Sequence, residues 1–222
     1  SKLLAVAKKK RVPFSEVIVT EGSPAKKIID VAAKKKADLI VIGKKGQSAL
    51  EKLFIGSVAN QVLRSSHLPV LVTRKKTGRP RTKKILVPTD FSAQEETERD
   101  VAWRLARGFK ASITLLHVVE LFGHEFSSGE IEQMFEPLLE RLKKRRERDN
   151  RDLKISEEII RAVNASHGIV DYAEANRFDL IVMSTYVQSK VERFFLGSTT
   201  EKVVSHSNVP VFACLLYTSP SP

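Results

Sequence analysis

The sequence predicts an α/β fold made of two copies of an open parallel five-stranded sheet flanked by helices, with the first copy incomplete. Residues 38–73 recur as residues 179–214 at a constant offset of 141, and 14 of the 36 paired positions are identical. Short apolar runs, typical of strands buried on both faces, alternate with helical patterns along the second copy. The opening strand of the second copy, at residues 84–87, has no counterpart after Ser1. We therefore expect the first copy to lack its opening strand, first helix and second strand.

The repeat and the linker between its copies predict the domain boundaries. Residues 1–74 form the C-terminal part of the first domain, here called the first repeat, and residues 84–214 form a complete second domain, the second repeat. Residues 75–83 are a basic linker that contains glycine and proline and no apolar side chain. Residues 215–222 have no counterpart in the first repeat, and we predict a disordered or non-native tail there.

In the first repeat, an alternating pattern precedes a helix with strong start signals. Residues 1–11 have the pattern of a helix end, and Pro13 stops that helix. Residues 15–22 alternate in polarity well enough for a strand, Ser23 is a good N-cap and Pro24 suits the first helical position. The predicted elements that follow are a helix over 24–36, a strand over 38–42, a helix over 57–65 and a strand over 69–73.

The second repeat shows the full alternation of strands and helices. Ser92 can cap the first helix, whose apolar residues recur at helical spacing up to Gly108. The predicted strands cover residues 84–87, 112–120, 153–163, 179–183 and 211–213, and the predicted helices cover 92–108, 129–150 and 168–176. Strands connected in this way form a parallel sheet with helices on both faces, and ligands bind at the carboxyl ends of its strands.

Composition limits the classes of protein that this chain can belong to. The chain has 222 residues, of which 42% are hydrophobic, so it can bury a sizeable core. Cys214 is the only cysteine, which leaves no disulfide framework or CxxC metal site and predicts a reducing, cytoplasmic location. The five histidines show no metal-binding spacing, and no apolar run of the sequence is long enough to span a membrane.

The positive charge is concentrated in the first part of the chain. The formal net charge is +12, and residues 1–84 hold 21 Lys or Arg against 5 acids, whereas the remainder holds 17 against 21. Two interpretations stay open: a polyanionic partner, or a soluble basic face.

Glycines and a serine after the buried strand at 38–42 form the main candidate site. Gly43 and Gly46 are separated by two residues, and nine more lead to Gly56 and Ser57, where a helix begins. Glycines let backbone amides approach an anion, and a helix start offers free amides and a positive dipole end to phosphate. The alternative is that these are ordinary turn and cap residues.

This spacing resembles the nucleotide-binding motif of the universal stress protein family. The resemblance implies a five-stranded sheet and a bound adenine nucleotide, either ATP, with or without Mg, or AMP. It also places Asp90 and the backbone near Val118 against the adenine. The site residues that it implies are Gly43, Lys45, Gly46, Gly56, Ser57 and Val58 in the first repeat, and Asp90, Val118, Gly197 and Ser198 in the second.

The second repeat departs from this motif. Ser184 replaces Gly43 and Val187 replaces Gly46. A β-branched valine resists positive φ and adds bulk where phosphate would lie. We therefore expect the first repeat to hold the nucleotide and the second to be degenerate. Lys44 and Lys45 are candidates for neutralising phosphate, with solvated loop lysines as the alternative.

No catalytic constellation accompanies the loop. The segment GKKGQSAL is not a Walker A sequence, and neither a GxSxG elbow nor an HExxH motif occurs. Asp90 is better explained as a ligand to the nucleotide or a helix cap than as a general base. We therefore predict a binding protein rather than an enzyme, with slow or absent ATP hydrolysis.

The leading functional hypothesis is a stress-response protein that senses nucleotide. The resemblance implies pairing through the last strands, 70–73 and 211–213, as an intramolecular domain pair or a homodimer. One alternative is the cytosolic regulatory domain of a membrane transporter. The weakest is a DNA-binding protein that uses the linker segment TGRPRTKK in the minor groove.

Overall fold

The fold is an α/β sandwich with one mixed sheet between two helical layers. A computed structural model describes residues 13–44, 55–74, 81–91, 95–120, 128–147, 152–186 and 197–216. The helices are α1 (Pro24–Lys34), α2 (Ser57–Ser65), α3 (Glu95–Phe109), α4 (Ser128–Glu147), α5 (Ala165–Ala175) and α6 (Ser198–His206). The strands are β1 (Ile40–Gly43), β2 (Val70–Thr73), β3 (Lys84–Pro88), β4 (Ser112–Glu120), β5 (Ile155–Ala162), β6 (Leu180–Tyr186) and β7 (Val211–Leu216).

The described strands form one seven-stranded sheet in the order β1-β2-β7-β6-β3-β4-β5. All five strands of the second repeat are parallel, as are β1 and β2 in the first. Only the pair β2 and β7, which joins the repeats, is antiparallel. The predicted α/β class with parallel five-stranded topology is confirmed in the second repeat, and the strand order reverses direction at β3, where ligand sites form.

Side chains alternate between two cores, one on each face of the sheet. Along β3, Ile85 and Val87 point to one core and Leu86 to the other. The first core contains residues of α1, α2, α5 and α6 and therefore spans both repeats. The second core is covered by α3, which contributes Trp103, and by α4, which contributes Leu142. This burial on both faces explains the continuous apolar runs of the parallel strands.

The repeat seen in the sequence is also a repeat of helix boundaries. Adding 141 to the bounds of α1 and α2 gives those of α5 and α6. The match includes the chain reversals after α1 and α5, where Lys36 and Arg177 have φ of 51° and 55°. The prediction of two copies of one unit therefore holds well beyond the identical positions.

The predicted strand over residues 15–22 is wrong. The structure has no strand between residues 13 and 23, and Val19 is 87% exposed. Its counterpart in the second repeat is β5, which pairs along its whole length with β4. No described strand stands in the place of β4 beside residues 15–22. A strand needs a hydrogen-bonding neighbour as well as alternating side chains, which explains the error.

Within the described part of the chain, strand β1 is covered on one face only. Val41 is 60% exposed, whereas its counterpart Val182 in β6 is fully buried. Val182 packs in the core beneath α3 and α4, and no described helix covers the same face of β1. The same local sequence therefore has a different environment in each repeat.

The other boundaries agree with prediction to within a few residues. Helix α5 begins three residues earlier than predicted, because the side chain of Asn164 accepts a hydrogen bond from the backbone amide of His167 and caps it. Strand β7 continues past the predicted domain end at Cys214, because Leu215 and Leu216 pair with Thr185 and Tyr186. Residues 1–12, 75–80 and 217–222 lie outside the described part, so the predicted first helix, most of the linker and most of the tail do as well.

We predict that Gly168→Ala lowers the free energy of unfolding by about 1–3 kcal/mol. A Cβ at Gly168 in α5 would lie 2.8 Å from Cβ of Ala162 and 3.0 Å from Cγ1 of Val118, so helix and sheet would have to separate. Gly108 in α3 is the matched control, because a Cβ there meets nothing within 4 Å. Gly108→Ala should leave stability unchanged or raise it by up to about 1 kcal/mol. Urea unfolding measures both, and equal effects would contradict the packing argument.

Candidate functional site

A cavity of about 270 Å³ lies at the carboxyl ends of the central strands of the second repeat. Its walls come from the ends of β3, β4 and β6 and from the first turns of α5 and α6. This is where the strand order reverses, as the topology predicts. The lining residues are Pro88, Thr89, Asp90, Leu116, His117, Val118, Ala165, Ile169, Met183, Ser184, Gly197, Ser198, Thr199 and Thr200.

The polar wall beside Asp90 is held in place by short hydrogen bonds. The amide of Thr89 donates to the carbonyl of Leu116 at 2.8 Å, which ties the end of β3 to β4. Nδ1 of His117 lies 2.8 Å from the carbonyl oxygen of Thr89. Because a carbonyl can only accept, Nδ1 carries the proton and Nε2 is left as an acceptor when the ring is neutral. Asp90 itself is exposed and faces the cavity.

The turn after Asp90 is strained at Phe91 and held by contacts of the Phe91 ring. The φ of Phe91 is 60°, an unfavourable value for a residue with a large side chain. The ring packs against His117 with 4.6 Å between centroids, and the guanidinium of Arg141 in α4 lies 4.4 Å from the Phe91 centroid. These contacts offset the backbone strain, and strain of this kind is common at functional sites.

The opposite wall is the amino-terminal turn of α6. Gly197 is its N-cap residue, and no described side chain caps the helix. Because residues 197–200 line the cavity, the positive end of the helix dipole lies at this wall. Thr200 is buried, and its hydroxyl donates to the carbonyl oxygen of Ser184 at 3.0 Å, which fixes β6 against the helix.

In the first repeat, the two ends of the glycine segment converge beside α2. The amide of Gly56 donates to the carbonyl of Lys44 at 2.8 Å, and the amide of Lys44 donates to Thr73 at 2.7 Å. Gly43 and Ser57 are both exposed there. Helix α2 begins with Gly56 as N-cap and, like α6, has no capping side chain in the described part of the chain. Backbone amides and a hydroxyl are thus presented at the carboxyl end of β1.

Lys44 has a different environment from either of the two that the sequence suggested. Its side chain is buried, at 2% exposure, and its ammonium donates to the carbonyl oxygen of Ser207 at 3.1 Å. Ser207 belongs to the second repeat, so this lysine connects the end of β1 to the other repeat. Its ammonium is neither solvated nor at the surface where an anion would approach.

The structure brings the candidate residues together in two groups. Asp90, Val118, Gly197 and Ser198 line the cavity of the second repeat. Gly43, Gly56, Ser57 and Val58 lie together where β1 ends and α2 begins. Lys45 and Gly46, and Val187 in the second repeat, fall outside the described residues.

Sequence reasoning missed the apolar part of the cavity. Ala165, Ile169 and Met183 line it from α5 and β6. At the repeat offset their counterparts are Pro24, Ile28 and Ile42, of which Ile28 and Ile42 are half-buried. Apolar residues at these positions in both copies are a signal for a cavity wall. The signal can be interpreted only once the fold shows that these elements face one cavity.

The described residues offer neither a metal-binding cluster nor a membrane-spanning helix. They contain no cluster of His, Cys, Asp or Glu that could hold a metal ion. They also contain no helix with both the length and the apolar character that crossing a bilayer demands.

A match to a family model establishes the family of this chain. The model described as the universal stress protein family matches residues 1–74 and 81–214. The chain belongs to the universal stress protein family. The match in two segments separated by the linker agrees with a tandem arrangement of two universal stress protein units.

Relatives and solved structures of the family give further context. Universal stress protein MJ0531 of Methanocaldococcus jannaschii is 53% identical over 55 residues, which make up 25% of this chain and 32% of that protein. A universal stress protein of Thermus aquaticus is 40% identical over 63 residues, or 28% of this chain and 46% of that one. The chain thus spans less than half the length of these curated relatives.

Similar structures support the fold. A universal stress protein from Archaeoglobus fulgidus has a TM-score of 0.70 at 24% identity, and the alignment covers 97% of this chain and 77% of that one. One from Pseudomonas aeruginosa has a TM-score of 0.67 at 20% identity, with 96% and 77% covered. At such identities the likeness establishes the fold alone.

We predict that Thr200→Val lowers the free energy of unfolding of this universal stress protein by about 1 kcal/mol. Valine keeps the shape of the side chain but leaves the carbonyl of Ser184 without its donor. Thr199→Val in the same helical turn is the control, and we expect a change within about 0.5 kcal/mol there. Chemical denaturation compares the two variants. If both lose the same stability, the bond to Ser184 does not fix β6 against α6.

Proposed function

We propose that this universal stress protein binds an adenine nucleotide, ATP or AMP, and that the first repeat holds its phosphates. The observation that carries this proposal is the convergence of Gly43, Gly56 and Ser57 at the start of α2, where no described side chain caps the helix. The first-turn amides of a helix, a hydroxyl and the positive end of a helix dipole suit a phosphate group. The motif that includes Gly46 supports the same assignment.

The second repeat is the weaker site in this proposal. Its cavity of about 270 Å³ is slightly below the usual size of small-molecule sites, about 300–1,000 Å³. Ser184 stands where the first repeat has Gly43, and its carbonyl is already bound to Thr200. Asp90 and Val118 still line the cavity and suit a nucleoside better than a triphosphate chain.

Binding, rather than turnover, is the activity that the described groups support. Asp90 and His117 are the titratable side chains among the residues that line this cavity, and the Nδ1 proton of His117 is donated to a backbone carbonyl of the cavity wall. General acid–base catalysis needs a positioned partner within hydrogen-bond reach of the reacting atom. We therefore infer a role in stress response through nucleotide-dependent contacts with a partner in the cytoplasm.

We predict that Mg-ATP binds the chain with micromolar affinity, about 8 kcal/mol. Gly46→Val should abolish binding, since valine is the residue at the equivalent position of the second repeat, which this proposal treats as the weaker site. Ser57→Ala should weaken binding about 10- to 150-fold, because a hydrogen bond to a charged group contributes about 1.5–3 kcal/mol. Isothermal titration calorimetry gives the affinity of each variant.

The equivalent positions of the second repeat supply the matched controls. Ser198→Ala and Asp90→Ala should leave the affinity for Mg-ATP unchanged. Binding that needs Asp90 and Ser198 but tolerates Gly46→Val would place the nucleotide in the second repeat. An intact chain that binds neither ATP nor AMP would refute the proposal.

A further inference from the structure

The contact between the two repeats has an approximate two-fold axis. In the antiparallel ladder, Leu71 pairs with Phe212, and Val70 and Val72 pair with Ala213 and Val211. Leu71 and Phe212 are equivalent positions at the offset of 141, so the axis passes between them. Asn60 of α2 and Glu201 of α6 are also equivalent, and their side chains meet, with Nδ2 of Asn60 3.5 Å from Oε1 of Glu201. A symmetric backbone arrangement therefore brings equivalent side chains face to face.

The polar contacts across this axis are not symmetric. Arg64 donates to Oε2 of Glu201 and, at 3.2 Å, to Oδ1 of Asn60. Its own counterpart in the second repeat is Ser205, which carries no charge. The side-chain amide of Asn60 therefore accepts from Arg64 through Oδ1 and donates to Glu201 through Nδ2.

Two contacts further from the axis have the same direction. The ammonium of Lys44 donates to the carbonyl of Ser207 at 3.1 Å, and the guanidinium of Arg74 donates to Oδ1 of Asn208. Asn208 is oriented by Glu174, which accepts from its backbone amide at 2.8 Å and from its Nδ2 at 3.2 Å. The oxygen of Asn208 is thereby left to accept from the first repeat.

In these four contacts the donor lies in the first repeat and the acceptor in the second. The donor face consists of Lys44, Asn60, Arg64 and Arg74. The acceptor face consists of Glu201, Ser207 and Asn208. At the equivalent positions, the second repeat replaces the three cations of the donor face by Thr185, Ser205 and Leu215. The charge imbalance between the two parts of the chain is thus expressed at their contact.

We propose that this interface is directional: the donor face selects an acceptor face and rejects a second donor face. Two second repeats paired about the same axis would place Glu201 against Glu201 with no arginine near. Two first repeats would place Arg64 beside Arg64 with no carboxylate. Like charges held face to face at an interface suppress the wrong partner, whereas the opposite charges fix the register. The partner that fits the donor face is the second repeat of the same chain, which makes all four contacts.

The test reverses the charges at the axis in the intact chain. Arg64→Glu and Glu201→Arg each replace an attraction by a repulsion, and the double variant restores the attraction in the opposite direction. Amide hydrogen exchange of residues 70–73 and 211–213 reports opening of the ladder between the repeats. We expect each single reversal to speed this exchange about fivefold, the scale of a partly exposed ion pair. The double variant should return it to within about twofold of the original chain.

Arg107 and Asp152 provide the matched control. Nε of Arg107 lies 3.1 Å from Oδ2 of Asp152, and both side chains are about as exposed as those of the tested pair or more so, but the contact lies within the second repeat. Arg107→Asp and Asp152→Arg should leave exchange of the ladder unchanged. At about 1 M salt, where the Debye length is about 3 Å, the effect of the Arg64 and Glu201 reversals should shrink.

Other outcomes would overturn the proposal. A double reversal that exchanges as fast as the faster single variant would show that the charges do not select the pairing. The same conclusion would follow if the control variants opened the ladder equally, or if high salt left the effect of the reversals intact. Should a reversal unfold the chain, Arg64→Gln and Glu201→Gln provide the same cycle without repulsion. For the proposal to stand, the free-energy change of ladder opening in the double Gln variant must then be smaller than the sum of the changes in the two single variants.

Discussion

The structure depends on the antiparallel pairing of β2 with β7. The described part of the first repeat contributes only two strands and two helices, too little to enclose a core by itself. Pairing with β7 places Val70 and Val72 in the same core as Val211 and Ala213, and this core includes helices from both repeats. One short ladder therefore joins the hydrophobic interiors of the two repeats. The site at the end of β1 is held by the same contact, because Lys44 reaches across to Ser207.

The two repeats show how one backbone serves two different purposes. Their helices begin and end at equivalent residues, so the carboxyl end of β1 and that of β6 meet a helix start in the same way. The side chains there have diverged. The first repeat keeps exposed Gly43 beside Ser57, whereas the second has Ser184, whose carbonyl is occupied by Thr200. Divergence at Asn60 and Glu201 likewise turns a symmetric contact into a directional one.

The cavity of the second repeat depends on close packing around one of its walls. Gly168 lets α5 approach Val118 and Ala162, and any larger residue would push the helix away from the sheet. In the first repeat the equivalent residue is Lys27, which faces no described strand in the position of β4. The strained turn at Phe91 is held between His117 and Arg141. Packing from three separate elements thus shapes one pocket wall.

The sequence by itself determined the α/β class, the two copies and most element boundaries. These follow from local patterns: apolar runs, caps and a constant repeat offset. The tertiary structure decided whatever depends on distant neighbours. Residues 15–22 alternate like a strand but have no described partner, so they form none. Lys44 lies in a glycine-rich segment but is buried against Ser207, 163 residues away. Such contacts leave no periodic signal, because either partner alone has the pattern of an ordinary loop residue.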